Sequence, residues 1–493
     1  MLKRFHILTG LLSLAICLQA QPRTSAPPAI QSIRIEDLRK DMEDMTGDRF
    51  RGRGAGTLDE LNAAVWQADK FREIGLLPAG DNGTYFQFFS LWRNRPSNSS
   101  YLKVGQQELK LWKDFAIAQM APGQISVPVF YAGPANKMVV QEIDVKGKAV
   151  VVEASPDGID TKVSLPFWRY WRSMMLKYGD ALASKGAAAI IFIADEMGER
   201  SWVEAVENLK QGLFAIQGMP NARVTTTVPV FWVHAASRSL FQTPGATITA
   251  QVMIERFEYP SANVIGRLDG TDPALRKEYV LFSSHHDAHG IRNTVEQDSV
   301  YNGADDNGSV GVSMLAIARA FKKNPARRSA LFISHGAEER GLLGSRWYAA
   351  HPTMPLENVV AVLNGDMIGR NHPDSAAVLG TQPPHRNSID LTRMAMEANL
   401  EGPHFKLDTL WDKPTHKEFW YFRSDHVPYA RLGIPALLYT TLLHPDYHTT
   451  IDDAAHINFE KLKKMTEWIY RTGWKAANAD KRPDRDPSFK PER

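Results

Sequence analysis

The run Tyr279-Val280-Leu281-Phe282-Ser283-Ser284-His285-His286-Asp287 begins as an unbroken apolar stretch and ends in two imidazoles and a carboxylate. Apolar residues without polar alternation read as a strand covered on both faces, and the polar cluster after it belongs to the strand's carboxyl end. The same pattern recurs downstream. Residues 329–334 run into His335-Gly336-Ala337-Glu338-Glu339, 359–363 into Asn364-Gly365-Asp366-Met367, and 435–440 into a loop holding His444-Pro445-Asp446-Tyr447-His448-Thr449. Segments 310–321, 389–400 and 459–474 carry helical periodicity between or after these strands. Such alternation from about residue 260 predicts an α/β fold, with a mixed, mostly parallel central sheet flanked by helices and ligand sites at the strands' carboxyl ends.

The rest of the chain bounds what that sheet can be part of. Its 493 residues allow roughly two to four domains. The 58 basic and 55 acidic residues leave a net charge of +3, which excludes the basic footprint of a nucleic-acid binder. A single cysteine, Cys17, excludes internal disulfides and thiolate metal clusters, so any metal site must use His, Asp and Glu. Lys3 and Arg4 precede an apolar run over 7–18, and Ala20 is a small residue at a cleavage position. Residues 1–20 therefore read as a signal peptide, and the chain as exported, periplasmic or secreted if bacterial. Removing them lowers the net charge by two, to +1. An outer-membrane lipoprotein acylated at Cys17 is the competing reading, which the bulky Ile16 disfavours. No other stretch approaches the roughly 18 apolar residues of a membrane helix, so the mature chain carries no stable membrane span.

Residues 21–99 supply an N-terminal part of the catalytic domain: a helix over 35–45, a glycine-rich turn at Arg51-Gly52-Arg53-Gly54-Ala55-Gly56, and a helix through Leu61, Val65, Ala68, Phe71 and Ile74 that Gly75 ends. Residues 100–255 change texture, with strands expected at 127–131, 148–152, 187–193, 228–233 and 248–254 and a helix over 178–185, so they read as an inserted β-rich module. Its cluster of Trp168, Trp171, Met174 and Met175 is read as core or interface. Residues 256–480 form the catalytic segment, and 481–493 a polar tail.

Any one Asp or His in these loops has an ordinary explanation as a turn, cap or core residue. Their convergence is the signal. Carboxylates and imidazoles gathered without thiolates, from five loops that include Gly303-Ala304-Asp305-Asp306-Asn307-Gly308-Ser309, suit zinc, with manganese or cobalt as tolerable substitutes.

The motifs His285-x-Asp287, Ala304-Asp305-Asp306-Asn307, Glu338-Glu339-x-Gly341-Leu342-x-Gly344-Ser345, Asp366-Met367-Ile368-Gly369 and His448-Thr449-x-x-Asp452 occur in one order. That order resembles the co-catalytic zinc aminopeptidase family, which contains secreted bacterial aminopeptidases and relatives of glutamate carboxypeptidase and the transferrin receptor. The resemblance spans nearly the whole mature chain. It implies a zinc-exopeptidase fold with a protease-associated insert at 100–255, peptide substrates and two Zn²⁺ per chain. Asp306 would bridge the ions, with His285 and Asp366 completing one and Glu339 and His448 the other. Glu338 would be the general base and acid, and Asp287 the group that orients His285.

The activity so implied is an exopeptidase releasing N-terminal amino acids. A carboxypeptidase or amidohydrolase on the same metals is the alternative, and Arg370 and Arg423 are its candidates for carboxylate recognition. A non-catalytic binding protein on this fold is a third reading, disfavoured because a binder has no use for Glu338. Ser424-Asp425-His426 is expected near the substrate, Tyr439 and Tyr447 on the oxyanion side, and Trp411, Trp420, Tyr421 and Phe422 in a specificity wall or the core. His286, His289, His335 and His444 are read as spectators or supports of the ligands.

Overall fold

A computed structural model describes residues 26–219, 228–295 and 297–490. The expected signal peptide, with Cys17, lies outside the described residues. The central sheet has ten strands: β1 (Leu77–Pro78), β2 (Phe86–Pro96), β3 (Leu213–Ile216), β4 (Ile254–Leu268), β5 (Tyr279–His285), β6 (Ser329–His335), β7 (Val359–Gly365), β8 (Ser375–Leu379), β9 (Lys406–Leu407) and β10 (Ala436–Thr440). They lie in the order β9-β8-β10-β7-β5-β6-β4-β2-β3, with β1 paired to β4. The centre, β10-β7-β5-β6, is parallel, whereas β4, β2 and β3 extend it antiparallel.

Every residue of β5, β6 and β7 is buried, which is why these strands read as continuous apolar runs. Helices Leu58–Ile74, Ser309–Lys323 and Phe459–Asn478 contribute to the larger core, where Phe71, Phe282, Phe332 and Trp468 pack. The opposite side is a smaller core around Leu281, Leu331, Tyr348 and Tyr429. Ser309–Lys323 is buried along most of its length, so its sequence is apolar nearly all round.

The 15-residue β4 has two characters. Its first half alternates in exposure and its second half is almost wholly buried, as a strand that starts outside the core and ends within it must. It pairs with β2 from Ile254↔Pro96 to Val264↔Phe86. This antiparallel ribbon is a stem between the catalytic sheet and a second, eight-stranded sheet whose strands run from Tyr101–Val104 to Thr247–Val252.

The second sheet places expected strands at Gly123–Pro134, Ala149–Glu153, Ala189–Ile193, Val230–Val233 and Thr247–Val252. Its middle pairings are parallel, and the helices Pro166–Met174 and Trp202–Gln211 pack with its strands in one core, so this region is more mixed in character than a purely β-rich one. Trp171, Met174 and Met175 belong to that core, with Trp171 stacked on Trp232 at 4.4 Å between ring centres. β3 departs from this sheet and pairs with β2, which brings chain from the second unit back beside the catalytic sheet. Among the described residues, no helix is long and apolar enough to cross a membrane.

Candidate active site

Parallel pairing gathers the site. β5 and β6 run in register from Tyr279↔Ser329 to His285↔His335, and β7 aligns Ser283 with Asn364. Three strand ends therefore stop at one level. His285, Glu338, Glu339 and Asp366 lie at or just beyond them, Asp306 comes from the turn Ala304–Gly308 ahead of helix Ser309–Lys323, and His448 from the loop after β10.

The structure brings all seven sequence-predicted residues together. One oxygen of Asp306 lies 3.3 Å from Nε2 of His285 and the other 3.2 Å from Nε2 of His448. His285 Nε2 is also 3.9 Å from Asp366 and 3.8 Å from Glu338, while His448 Nε2 is 3.4 Å from Glu339. Asp306 thus stands between two groups of donors. The carboxylate of Asp287 sits 3.6 Å from His285 Nδ1, and a hydrogen bond of 3.1 Å joins that nitrogen to the backbone carbonyl of Asp287 instead. The carboxylate oxygens accept from the backbone N–H groups of Glu338 at 2.9 Å and Glu339 at 3.1 Å. Asp287 therefore fixes the turn that carries both glutamates as well as flanking His285.

Other buried groups do similar work. Asp452 accepts from the N–H groups of Asp305 and Asp306 at 2.8 and 3.1 Å. Glu60 accepts from Ala337 N–H at 3.0 Å, Ser261 Oγ at 2.6 Å and Gly56 N–H at 2.6 Å, pinning the left-handed residue that precedes Glu338. Arg53 donates to the carbonyls of His286, Asn302 and Gly303 at 2.7, 2.7 and 2.9 Å. Sequence reasoning missed Glu60 and Arg53 because nothing local marks them; their partners lie more than 200 residues away.

Burial pushes Glu338 well above the usual carboxylate range, and Asp366, Asp425 and Glu339 push it further. Asp366 rises for the same reason, with burial first and Asp306 second. Asp306 goes the other way, because the flanking imidazoles of His285 and His448 outweigh its burial. So many inward-facing carboxylates call for positive charge. His285 Nε2 and Glu339 Oε1 are buried without a hydrogen-bond partner, and the donor set is nitrogen and oxygen, which fits zinc.

His289 belongs with these donors and was read as a spectator. Its Nε2 is 3.3 Å from Glu339, and its ring lies 3.8 Å from that of His448. The available signal was its place in the loop that His285 opens. The other histidines are supports: His286 bonds Ser334, His335 bonds Asn263 and Tyr429, and His444 lies 3.4 Å from Asp305. Tyr439 is buried against Trp468 and lines no part of the cavity, whereas Tyr447 stacks on His448 at 3.6 Å and does. Asp425 is buried, and burial pushes it up to about 7. Trp420 and Tyr421 are core, and Phe422 reaches the cavity wall. Arg370 pairs with Asp446, and Arg423 with Glu418 at 3.0 Å and Tyr447 at 2.8 Å, so both are already engaged within the chain.

The donors open into a cavity of 1510 Å³. The ten-stranded sheet's loops line it with Glu338, Glu339, His448 and Tyr447, and the second unit with Phe167 and Trp168. The second unit therefore forms one wall of the cleft.

Residues 263–472 match the model of Peptidase family M28. Aminopeptidase YwaD of Bacillus subtilis (strain 168) is 30% identical over 201 residues, 38% of this chain and 42% of that protein. Leucine aminopeptidase 1 of Penicillium rubens is 28% identical over 222 residues, 42% of this chain and 55% of that protein. The chain thus spans about half the length of these curated relatives. Among solved structures, the aminopeptidase from Aneurinibacillus sp. strain AM-1 shares the fold, with a TM-score of 0.59 at 19% identity over 94% of this chain and 98% of that one. The motifs that carry the resemblance fall within the segment that matches: residues 263–472 are similar to Peptidase family M28, and the relatives that share this segment are aminopeptidases.

Proposed function

We propose that the protein is an exported zinc metallo-aminopeptidase that hydrolyses the N-terminal bond of peptides on a site for two ions. The observation that carries this reading is Asp306, whose two oxygens face His285 and His448 separately, with a further carboxylate beside each imidazole. His285, Asp306 and Asp366 would hold one ion, and Asp306, Glu339 and His448 the second, with Glu338 within reach of the first group and His289 of the second. Zinc bound there supplies Lewis acidity and a lowered pKa for water. Glu338 would accept a proton from the attacking water and return it to the leaving amine. Its carboxyl group is near the donors, and the raised proton affinity that burial gives it suits the return step. Asp287 keeps Glu338 and Glu339 apart in role by holding both backbone N–H groups of their turn. The relatives' names, aminopeptidase and leucine aminopeptidase, support the choice of the amino end. Residues 1–20 would direct export.

Glu338→Ala is expected to lower kcat by about 10²–10⁴-fold with zinc content unchanged; turnover left intact would remove Glu338 from this role. The reaction class is tested with one peptide in free-amine, N-acetylated and C-amidated forms, with and without a chelator. The free-amine and amidated forms should be cut and the chelator should stop both. Cleavage of the acetylated form but not the amidated one would overturn the aminopeptidase reading.

A further inference from the structure

We propose that Arg292 and Arg340 form a carboxylate-binding subsite in the wall of the cleft, which selects peptides carrying a free carboxylate near the bond to be cut. The assignment of peptide substrates rests on the function proposed above. The two residues reach the cavity from different elements. Arg292 lies on the strand Gly290–Val295, part of the hairpin that follows the His285–His289 loop, and Arg340 ends the short turn Glu338–Arg340. Both line the cavity beside Glu339 and His448.

What distinguishes this pair is its lack of a counter-charge. Arg292 Nη2 donates to Gln211 Oε1 at 3.1 Å, but its Nε is buried with no acceptor. The Arg340 guanidinium lies 4.9 Å from the ring centre of Phe214, and its Nε is also buried with no acceptor. Among the described residues, neither arginine has a carboxylate within ion-pair distance. Elsewhere on the same wall the pattern is opposite, since Arg169 and Arg423 both pair with Glu418, at 2.9 and 3.0 Å.

The electrostatics agree with the geometry. Arg340 carries the permanent charge of a guanidinium, and Arg292 stands near enough to repel it. Burial also lowers Arg292, which Glu339, Glu204 and Glu207 offset at longer range. Those acids form no ion pair with either arginine: Glu339 belongs to the metal-donor group and Glu207 pairs with Lys210. Two neighbouring, partly buried guanidiniums with unfilled donors are costly unless an anion joins them. A carboxylate matches the planar fork of arginine and accepts from two N–H groups at once.

That carboxylate has three possible places on a peptide: the side chain of the first residue, the side chain of the second, or the C-terminus of a dipeptide. Equilibrium binding separates them without turnover. The parent probe is leucine joined through a reduced CH₂–NH bond to glutamine amide. Three variants each add one carboxylate, as glutamate first, glutamate second, or a free C-terminus. Calorimetry on the zinc-loaded protein should show one variant binding at least about tenfold more tightly than the parent. Arg292→Gln and Arg340→Gln should each cut that preference to within about twofold, with zinc content measured as a control. Equal affinity for all four probes in the unaltered protein, or a preference that survives both substitutions, would overturn the subsite. Chelator-sensitive hydrolysis of the peptide-bonded counterpart of the tightest-binding probe is scored separately. Its absence alongside a carboxylate preference removes the aminopeptidase reading and leaves the subsite, and the converse removes only the subsite.

Discussion

Single buried side chains set the geometry of this centre by gripping backbone. Asp287 and Asp452 each spend two oxygens on two successive N–H groups, one pair in the Glu338–Glu339 turn and the other at Asp305–Asp306. Arg53 does the converse, offering its N–H groups to three carbonyls. Such turns cannot form regular ladders, so buried backbone groups need side-chain partners. Arg53→Ala should therefore cost about 3 kcal/mol by urea unfolding, because it removes the donor that the carbonyls of His286 and Asn302 share with it, and a loss below about 0.5 kcal/mol would show that water replaces the guanidinium freely. The convergence of these carboxylates and imidazoles was legible, since each lies at or near the end of an apolar strand or in a loop of clustered carboxylates. Arg53 and Glu60 were not, because an arginine in a glycine-rich turn and a glutamate in an amphipathic helix look like surface residues until chain from beyond residue 260 closes over them. Asp287 lies beside His285, and which of its atoms meets that imidazole depends on a turn geometry that spacing does not encode.

At the scale of elements, the parallel strands announce themselves because helices cover both faces, and the same physics hides β2. Phe86–Pro96 mixes phenylalanines with Gln, Ser, Asn and arginines, since only part of it enters the core and the remainder is a half-buried ribbon paired to β4. Helix Pro166–Met174, dense in tryptophan and arginine, was read only as a cluster, and its role as cleft wall follows from the stem that carries it. The turn Ala304–Gly308 is the element on which the metal donors depend most. It is entered through Gly303 at φ +57°, where an added Cβ would stand 2.2 Å from the carbonyl oxygen of Asp306 and 2.8 Å from Ala288 Cβ. Gly303→Ala is expected to destabilise the fold by about 1–3 kcal/mol and to weaken zinc binding through displacement of Asp306. Thermal unfolding and a zinc titration check this, and an unchanged midpoint with unchanged affinity would contradict it.

The whole molecule is a peptidase sheet and a second unit closing one cleft, fastened where Glu418 accepts from Ser164 N–H and Oγ, Arg169 and Arg423. Arg423 passes this contact on to Tyr447 and so to His448. Histidines sealed in the peptidase core make its stability depend on pH. Burial pushes His426 down to about 3, whereas an unfolded histidine titrates near 6.5. Its contribution is therefore complete above about pH 6.5 and is lost as pH falls towards 3, at no more than about 1.4 kcal/mol per pH unit. His426→Phe should flatten unfolding free energy against pH over that window by up to one proton, and an unaltered slope would mean that His426 is not held neutral. Above all, the account requires one carboxylate, Asp306, to serve two ions. Metal analysis of the purified chain is the direct measurement: two zinc ions per chain in the unaltered protein and in Glu338→Ala, and fewer than one in Asp306→Ala, are expected. A single ion in the unaltered protein, or two retained without Asp306, would contradict it.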